Sequence, residues 1–347
     1  MQTLKAKIES YQGPPLRIME VCGTHTHEIF RLGLRRILPA GVTLISGPGC
    51  PVCVTPNGYI DEAIMLALEH NAVICTFGDL VRVPGSESSL AGARAAGGTI
   101  RPVYSPMDAL DEARKNPDRQ VVFLAVGFET TVPSACLAVR KAAREGIANF
   151  SILGSNKTMP NAYAALKGAA DAFLFPGHVH TIIGTGICRT LAEEAGVSGV
   201  VAGFTAHELL DAIATILELA PSGKPFFRNC YSRVVREEGN PAGMQVINEM
   251  MEPCDAEWRG LGVIPGSGLR LREEYRDFDA RIRFNLPPVQ GRTNPGCRCG
   301  TVLQGKCTPA ECPLFGKVCT PMHPVGSCMV SGEGACSAFY QYGDYEK

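Results

Sequence analysis

Several absences narrow this sequence before any motif does. No apolar run approaches the length of a membrane span. The opening Met1-Gln2-Thr3-Leu4-Lys5-Ala6-Lys7 has no apolar core of signal-peptide length. Neither sign of charge is in excess, since 33 Lys and Arg face 34 Asp and Glu for a net charge of −1. A basic face for nucleic acid and an acidic tail are therefore both missing. There is no phosphate loop and no G-x-G-x-x-G turn; Gly184-Thr185-Gly186 lacks the spacing. No H-E-x-x-H helix and no serine nucleophile elbow occurs. The expectation is a cytoplasmic globular protein with no nucleic-acid or membrane partner, and 347 residues are enough for two or three domains.

What is present in excess is cysteine. In a reducing compartment fifteen thiols point to metal or redox chemistry rather than to structural disulfides. Eight are spread over the first 296 residues and seven crowd between Cys297 and Cys336, which marks a separate cysteine domain.

Continuous apolar runs alternate with helical spacing along most of the chain. Examples are Leu16 to Val21, Val42 to Ile45, Ala72 to Phe77, Val121 to Val126, Ala172 to Phe175 and Val200 to Phe204. This rhythm predicts an α/β fold whose mostly parallel sheets are covered on both faces. Asn116-Pro117-Asp118-Arg119 reads as a boundary, after which the rhythm restarts. Short motifs recur in the same order on either side: Gly-Thr-His-Thr and Phe-Glu-Thr-Thr, then Pro48-Gly49-Cys50 and Pro176-Gly177-His178. The reading is two Rossmann-like lobes, 1–118 and 119–220, whose polar strand ends face a common cleft, where ligands of open α/β sheets bind. Residues 221–296 read as an irregular connecting layer with a helix near Ala242 to Met251, and 297–347 as the cysteine domain.

The central stretch is Gly47-Pro48-Gly49-Cys50-Pro51-Val52-Cys53, where a strand ends and a helix is expected to begin at Thr55-Pro56. A helix N-terminus lowers a thiol pKa, so Cys50 and Cys53 are expected to form a redox dithiol; a packed thiol pair is the alternative. Cys22 with His25 and His27 closes the first strand and forms a soft-ligand set suited to iron. His178 and His180 end another strand, and Glu129 and Asp79 sit where an acid could orient a histidine. Cys75, Cys136, Cys188, Cys230 and Cys254 fall in apolar or irregular segments and read as structural.

The tail is loop-rich and needs a staple. Its cysteines are widely spaced, with C-x-C at Cys297 and Cys299 but no C-x2-C knuckle. That favours an iron–sulfur cluster over zinc, with Cys312, Cys319, Cys328 and Cys336 as the first-choice ligands.

Taken together, Cys22-Gly23-Thr24-His25-Thr26-His27, Gly47-Pro48-Gly49-Cys50-Pro51-Val52-Cys53, Val126-Gly127-Phe128-Glu129-Thr130-Thr131 and Phe175-Pro176-Gly177-His178 resemble the HypD family of nickel–iron hydrogenase maturation proteins. So do Cys312-Pro313-Leu314-Phe315-Gly316 and Cys328-Met329-Val330-Ser331-Gly332-Glu333-Gly334, whereas Cys307 has no place in that pattern. The resemblance implies a scaffold that, with a HypC-type small chaperone, holds one iron while an Fe(CN)2CO unit is assembled on it. A HypE-type donor would supply cyanide as thiocyanate, and the hydrogenase large subunit would receive the product. It also implies a 4Fe–4S cluster in the tail. Cys22 becomes the iron-binding thiolate, with His25 and His178 beside it; Cys50, Cys53 and Glu129 complete the reactive set. The chain alone is expected to be a monomer. A stand-alone iron–sulfur thiol–disulfide oxidoreductase acting on a partner's disulfide is the competing reading, and a zinc-stapled binding module is another.

Overall fold

The computed structural model describes residues 2–343. Strands form where the apolar runs lie. The first six are β1 (Leu16–Glu20), β2 (Val42–Ser46), β3 (Val73–Thr76), β4 (Thr99–Pro102), β5 (Val121–Gly127) and β6 (Phe150–Asn156). They are followed by β7 (Ala172–Pro176), β8 (Gly199–Ala202), β9 (Phe227–Asn229), β10 (Met251–Trp258) and β11 (Gly262–Leu271). One parallel sheet has the order β2-β1-β7-β8-β9 and a second has the order β4-β3-β5-β6. Every residue of β3, β5, β7 and β8 is buried, as strands covered by helices on both faces must be. The expected α/β class with mostly parallel sheets and a cysteine-rich tail is what the chain adopts.

The division of the chain between the sheets differs from the expectation. In the first sheet Ile18 of β1 pairs with Leu44 of β2 on one side and with Ala172 of β7 on the other. The second sheet uses β3 to β6, so the boundary expected at residue 118 falls inside it, between β4 and β5. The chain starts one sheet, leaves to build the other, and returns. The repeated motifs do not mark matching halves either. Pro48-Gly49-Cys50 and Pro176-Gly177-His178 follow β2 and β7, the two neighbours of β1 in one sheet.

Residues 221–296 are also more ordered than a connecting layer. β9 joins the first sheet, the helix Pro241–Met250 matches the expected one, and β10 and β11 form an antiparallel hairpin. The hairpin escapes pattern reading because Met251–Trp258 (MEPCDAEW) interleaves polar residues and a proline. It is anchored by Trp258, which is buried, stacks on Phe128 and donates from Nε1 to Ser267 Oγ at 2.8 Å. Arg281 fixes the segment that follows, pairing with Glu62 at 2.7 Å and donating to the Gly154 carbonyl at 2.8 Å.

The tail does not stand apart. All of its cysteines but Cys307 share one core with Cys50, Cys53, Phe128, Phe173 and Phe175, so the C-terminal ends of both sheets and the tail meet in the same apolar mass. Among the described residues no helix is long and apolar enough to cross a membrane.

Candidate metal and thiol centre

The first reactive residue sits at the end of β1. Cys22 is the N-cap of the helix Gly23–Arg31, which begins directly after the strand and not at Glu28 as its apolar spacing suggests. Backbone N–H groups of His25 and Thr24 point at the thiol, which would favour a thiolate. Burial outweighs them: the thiol is pushed up to about 12, with the nearby Glu333 carboxylate adding to the rise. An iron would reverse this balance, because a coordinated thiol loses its proton to the metal.

The Gly47–Cys53 turn is pressed against the same residue. Gly23 N donates to Gly49 O at 2.9 Å, and a Cβ placed on Gly49 would fall 2.2 Å from Cys22 N. Only glycine lets the two strand ends approach so closely. Cys50 then caps a four-residue helix, Pro51–Val54, and Cys53 lies inside it. The next helix, Asn57–Leu68, is entered with Pro56 as N-cap, while the Thr55 hydroxyl turns back to the Pro51 carbonyl at 2.8 Å. The expected fall in thiol pKa is not seen at Cys53, which is held well above its ordinary value by hydrogen bonds with Cys328 and Cys50 and by burial. A short buried helix has too little dipole to offset that desolvation.

Cys53 thereby connects two sets of thiols. The Ser327 hydroxyl donates to the Cys53 carbonyl at 2.8 Å, and Cys328 lies between Cys53 and Cys299, with Cys299 Sγ 2.7 Å from Cys328 Sγ. Cys297, Cys299, Cys312, Cys319, Cys328 and Cys336 line one small cavity closed by Phe315 and Met329, and Cys307 stands outside it. Arg259 is a part of this centre that sequence reading missed. It is buried, bonds the Val54 and Thr55 carbonyls, leaves one guanidinium nitrogen without a partner, and lowers the cost of negative charge on Cys297 and Cys299. Converging thiols, an apolar shell and a buried cation together fit an anionic thiolate-bound cluster. Among the described residues, no three His, Cys, Asp and Glu side chains are gathered as a ready site for a single metal ion.

The histidines divide. His25 is buried with its Nε2 on the Gly203 carbonyl at 3.0 Å, so it ties its helix to the end of β8 instead of bonding the Cys22 thiol, and its Nδ1 has no partner. His178 is exposed and stacks on Phe204, ring centroids 3.9 Å apart, and Phe204 also touches the His25 ring. His180 belongs to the core, bonded to the Gly184 carbonyl at 2.7 Å and packed on Cys188 and Tyr163. Glu129 is buried, accepts from Met159 N at 2.9 Å through one oxygen, and leaves the other unpaired. No hydrogen bond joins Glu129 to Cys22, Cys50 or His178 among the described residues. The Tyr163 phenol is raised by burial, with Cys188, Glu129 and Cys22 adding to the rise. Asp79 is exposed on a 3-10 turn after β3.

Glu333 is the second missed residue. The tail brings it over Cys22: its Oε1 accepts from Thr24 Oγ1 at 2.6 Å, its Cβ packs on Gly23, and His27 Nδ1 bonds Gly332 O at 3.1 Å. Its charge is felt by both Cys22 and His178. It lies within the Cys328–Gly334 motif, but nothing in that motif places it over Cys22.

Burial of these groups sets a pH response. His25 and His180 are each lowered by burial to about 4, below the ordinary 6.5. Their stabilising contribution is full above about 6.5 and is lost as pH falls toward 4. Glu129, raised by burial to about 7, acts in the opposite sense: its contribution is full below about 4.5 and lost as pH rises through 7. Two histidines outweigh one carboxyl. Stability of the metal-free protein should therefore fall by on the order of 3 kcal/mol between pH 6.5 and 4.5. Denaturant midpoints across that window check this, and Glu129→Gln should steepen the fall.

The HypD family model, described as "Hydrogenase formation hypA family", matches residues 1–343. "Hydrogenase maturation factor HypD" of Rhodobacter capsulatus is 47% identical over 338 residues, covering 95% of this chain and 90% of that protein. The Escherichia coli K12 protein of the same name is 45% identical over 339 residues, covering 96% and 90%. That of Azotobacter vinelandii is 43% identical over 353 residues, covering 98% and 93%.

Proposed function

Since this chain belongs to the HypD family of hydrogenase maturation factors, we propose that it is the scaffold on which the Fe(CN)2CO unit of a nickel–iron hydrogenase is assembled. The observation that carries this reading is the continuity of the thiols. Cys22 lies against the turn that bears Cys50 and Cys53, and Cys53 touches the tail thiol Cys328. Ligand capture and electron supply thus have adjoining positions.

In this reading the iron is cargo. Cys22 anchors it as a thiolate, the soft donor that a low-spin, cyanide-bearing iron prefers, and a cysteine of a HypC-type small chaperone binds from the other side. His178 and Glu333 border the same space; His25 holds the helix that presents Cys22. A HypE-type protein delivers cyanide as a thiocyanate. Breaking its sulfur–carbon bond takes two electrons. The Cys50–Cys53 dithiol supplies them by closing to a disulfide, leaving the carrier's thiol and a cyanide for the iron, with one proton released. Cys312, Cys319, Cys328 and Cys336 would hold a 4Fe–4S cluster, which supplies one-electron chemistry beside that pair.

Anaerobic co-purification with the small chaperone, followed by infrared spectroscopy in the cyanide and carbonyl stretching region, tests the scaffold role. Bands should appear on the complex, and a complex that never shows them refutes it. Cys50→Ala/Cys53→Ala should lose the cyanide bands by at least tenfold in rate of appearance while still binding the chaperone. Normal rates in that variant would remove the dithiol from the chemistry. Turnover of a disulfide substrate by the chain alone would favour the oxidoreductase reading instead.

A further inference from the structure

A second cavity, lined by Cys254 but by no residue of the thiol centre, lies between the end of β6, the β10–β11 hairpin and the helix Asn57–Leu68. Its volume is about 240 Å³. This is smaller than the roughly 300–1,000 Å³ of drug-sized pockets and suits a ligand of a few heavy atoms. It sits beyond the carboxyl end of a parallel strand, where α/β sheets bind ligands.

Its inner wall carries two groups left without the partners that burial demands. Lys157 is 3% exposed, yet its ammonium has one hydrogen bond, to the neutral Ser155 hydroxyl at 3.2 Å, and no carboxylate at ion-pair distance among the described residues. The nearest cation is Arg281, whose own charge is taken by Glu62. The Trp258 ring, 5.9 Å away, offers a weak attraction and no hydrogen bond. Fully buried lysines are rare unless paired, because the desolvation cost is several kcal/mol. Next to it Asn156 is 2% exposed and its Oδ1 accepts nothing. Burial lowers the Lys157 amine to about 8, with Arg281 adding to the fall and Glu257 opposing it.

The mouth has the opposite character. Asp255 and Glu257 of the hairpin are exposed there, and Glu62 and Asp279 also line the cavity. Four carboxylates against three cations (Lys157, Arg270 and Arg281) exclude a phosphate-type dianion. They favour a molecule that is negative at its inner end and positive toward the opening.

We propose that this cavity binds a small zwitterionic amino acid, with its carboxylate on Lys157 and its ammonium toward the Asp255 and Glu257 rim. The site is built at a cost to stability, as ligand sites often are.

The test is titration of the full-length protein with glycine, L-alanine and L-serine, with acetate and ethylamine as controls, followed by calorimetry or protein-detected NMR. At least one amino acid should bind saturably and at least tenfold more tightly than either control. Lys157→Met should abolish that binding and raise the melting temperature, because the unpaired ammonium is replaced by an apolar chain of similar length. Asp255→Asn/Glu257→Gln should weaken the amino acid but should not weaken acetate. The proposal is overturned if no amino acid binds saturably up to its solubility limit, or if acetate binds as well as glycine. A fall in melting temperature of Lys157→Met would also sink it, since that outcome makes Lys157 a structural residue. Gly168→Ala, outside the cavity lining, should bind like the parent.

Discussion

Replacing Cys22 by alanine is expected to abolish iron carriage while leaving the fold and the tail thiols intact. The side chain is buried but small, so its loss should cost only about 1 kcal/mol of stability. Its chemical loss cannot be made good locally. Cys53 is engaged with Cys328, His25 Nε2 is committed to the Gly203 carbonyl, and the His178 ring is stacked on Phe204. The oxygens of Thr24 and Glu333 remain nearby, but hard donors suit a cyanide-bearing iron poorly. The complex of Cys22→Ala with the small chaperone should show neither cyanide nor carbonyl bands. The visible absorption and iron content of the variant alone should equal those of the parent, as expected if the tail holds the proposed cluster independently of Cys22. Bands of normal intensity in the variant would place the iron elsewhere.

Gly49→Ala should produce the largest loss of stability of any single methyl added to the chain's thiol centre. The new Cβ would lie 2.2 Å from the nitrogen, 2.4 Å from the Cα and 2.5 Å from the carbonyl carbon of Cys22. All three are backbone atoms at the end of a buried strand, so no side chain can rotate away. Strand β1 or the turn must shift, which puts the cost at roughly 3 kcal/mol or more, the upper end of overpacking penalties. The same shift would separate Cys22 from the turn that carries Cys50 and Cys53. Urea unfolding measures the first effect, and the rate of cyanide band appearance measures the second. Gly168→Ala, where nothing lies within 4 Å, is the matched control and should stay within about 0.5 kcal/mol of the parent. If the two variants were equally stable, the close packing of Gly49 on Cys22 would be refuted.

Much of the centre is legible in the amino-acid order alone. Cys22, Cys50, Glu129 and His178 all fall just after apolar runs, and each lies at the C-terminal end of a parallel strand. That is a local property, since a strand followed by Gly, Pro or an N-cap residue announces its own end. The membership of the two sheets is not local. Ile18 pairs with Ala172 across more than 150 residues, and parallel partners carry no signature that names them. An orderly restart of the pattern at residue 119 therefore reads as a second lobe, although it lies in the middle of the second sheet.

The acidity of the thiols illustrates the same divide. The C-x-x-C at a strand–helix junction predicts a lowered pKa, and the helix N-terminus is indeed there at Cys50. What raises Cys53 instead is the tail, which buries the turn and sets Cys328 against it. The placing of Glu333 over Cys22 and of Arg259 beside Cys297 and Cys299 is likewise invisible in the sequence: Arg259 lies in no motif, and the Cys328–Gly334 motif that contains Glu333 does not say what it packs on.

By itself the sequence determined the α/β class, the positions of the strand ends, and the two sets of cysteines, because each depends on neighbours a few residues apart. The tertiary structure alone decided which strands share a sheet, that the tail closes over Cys22 and Cys53, and which buried groups go without partners. Those depend on desolvation and on contacts between distant segments, which exist only once the chain has packed.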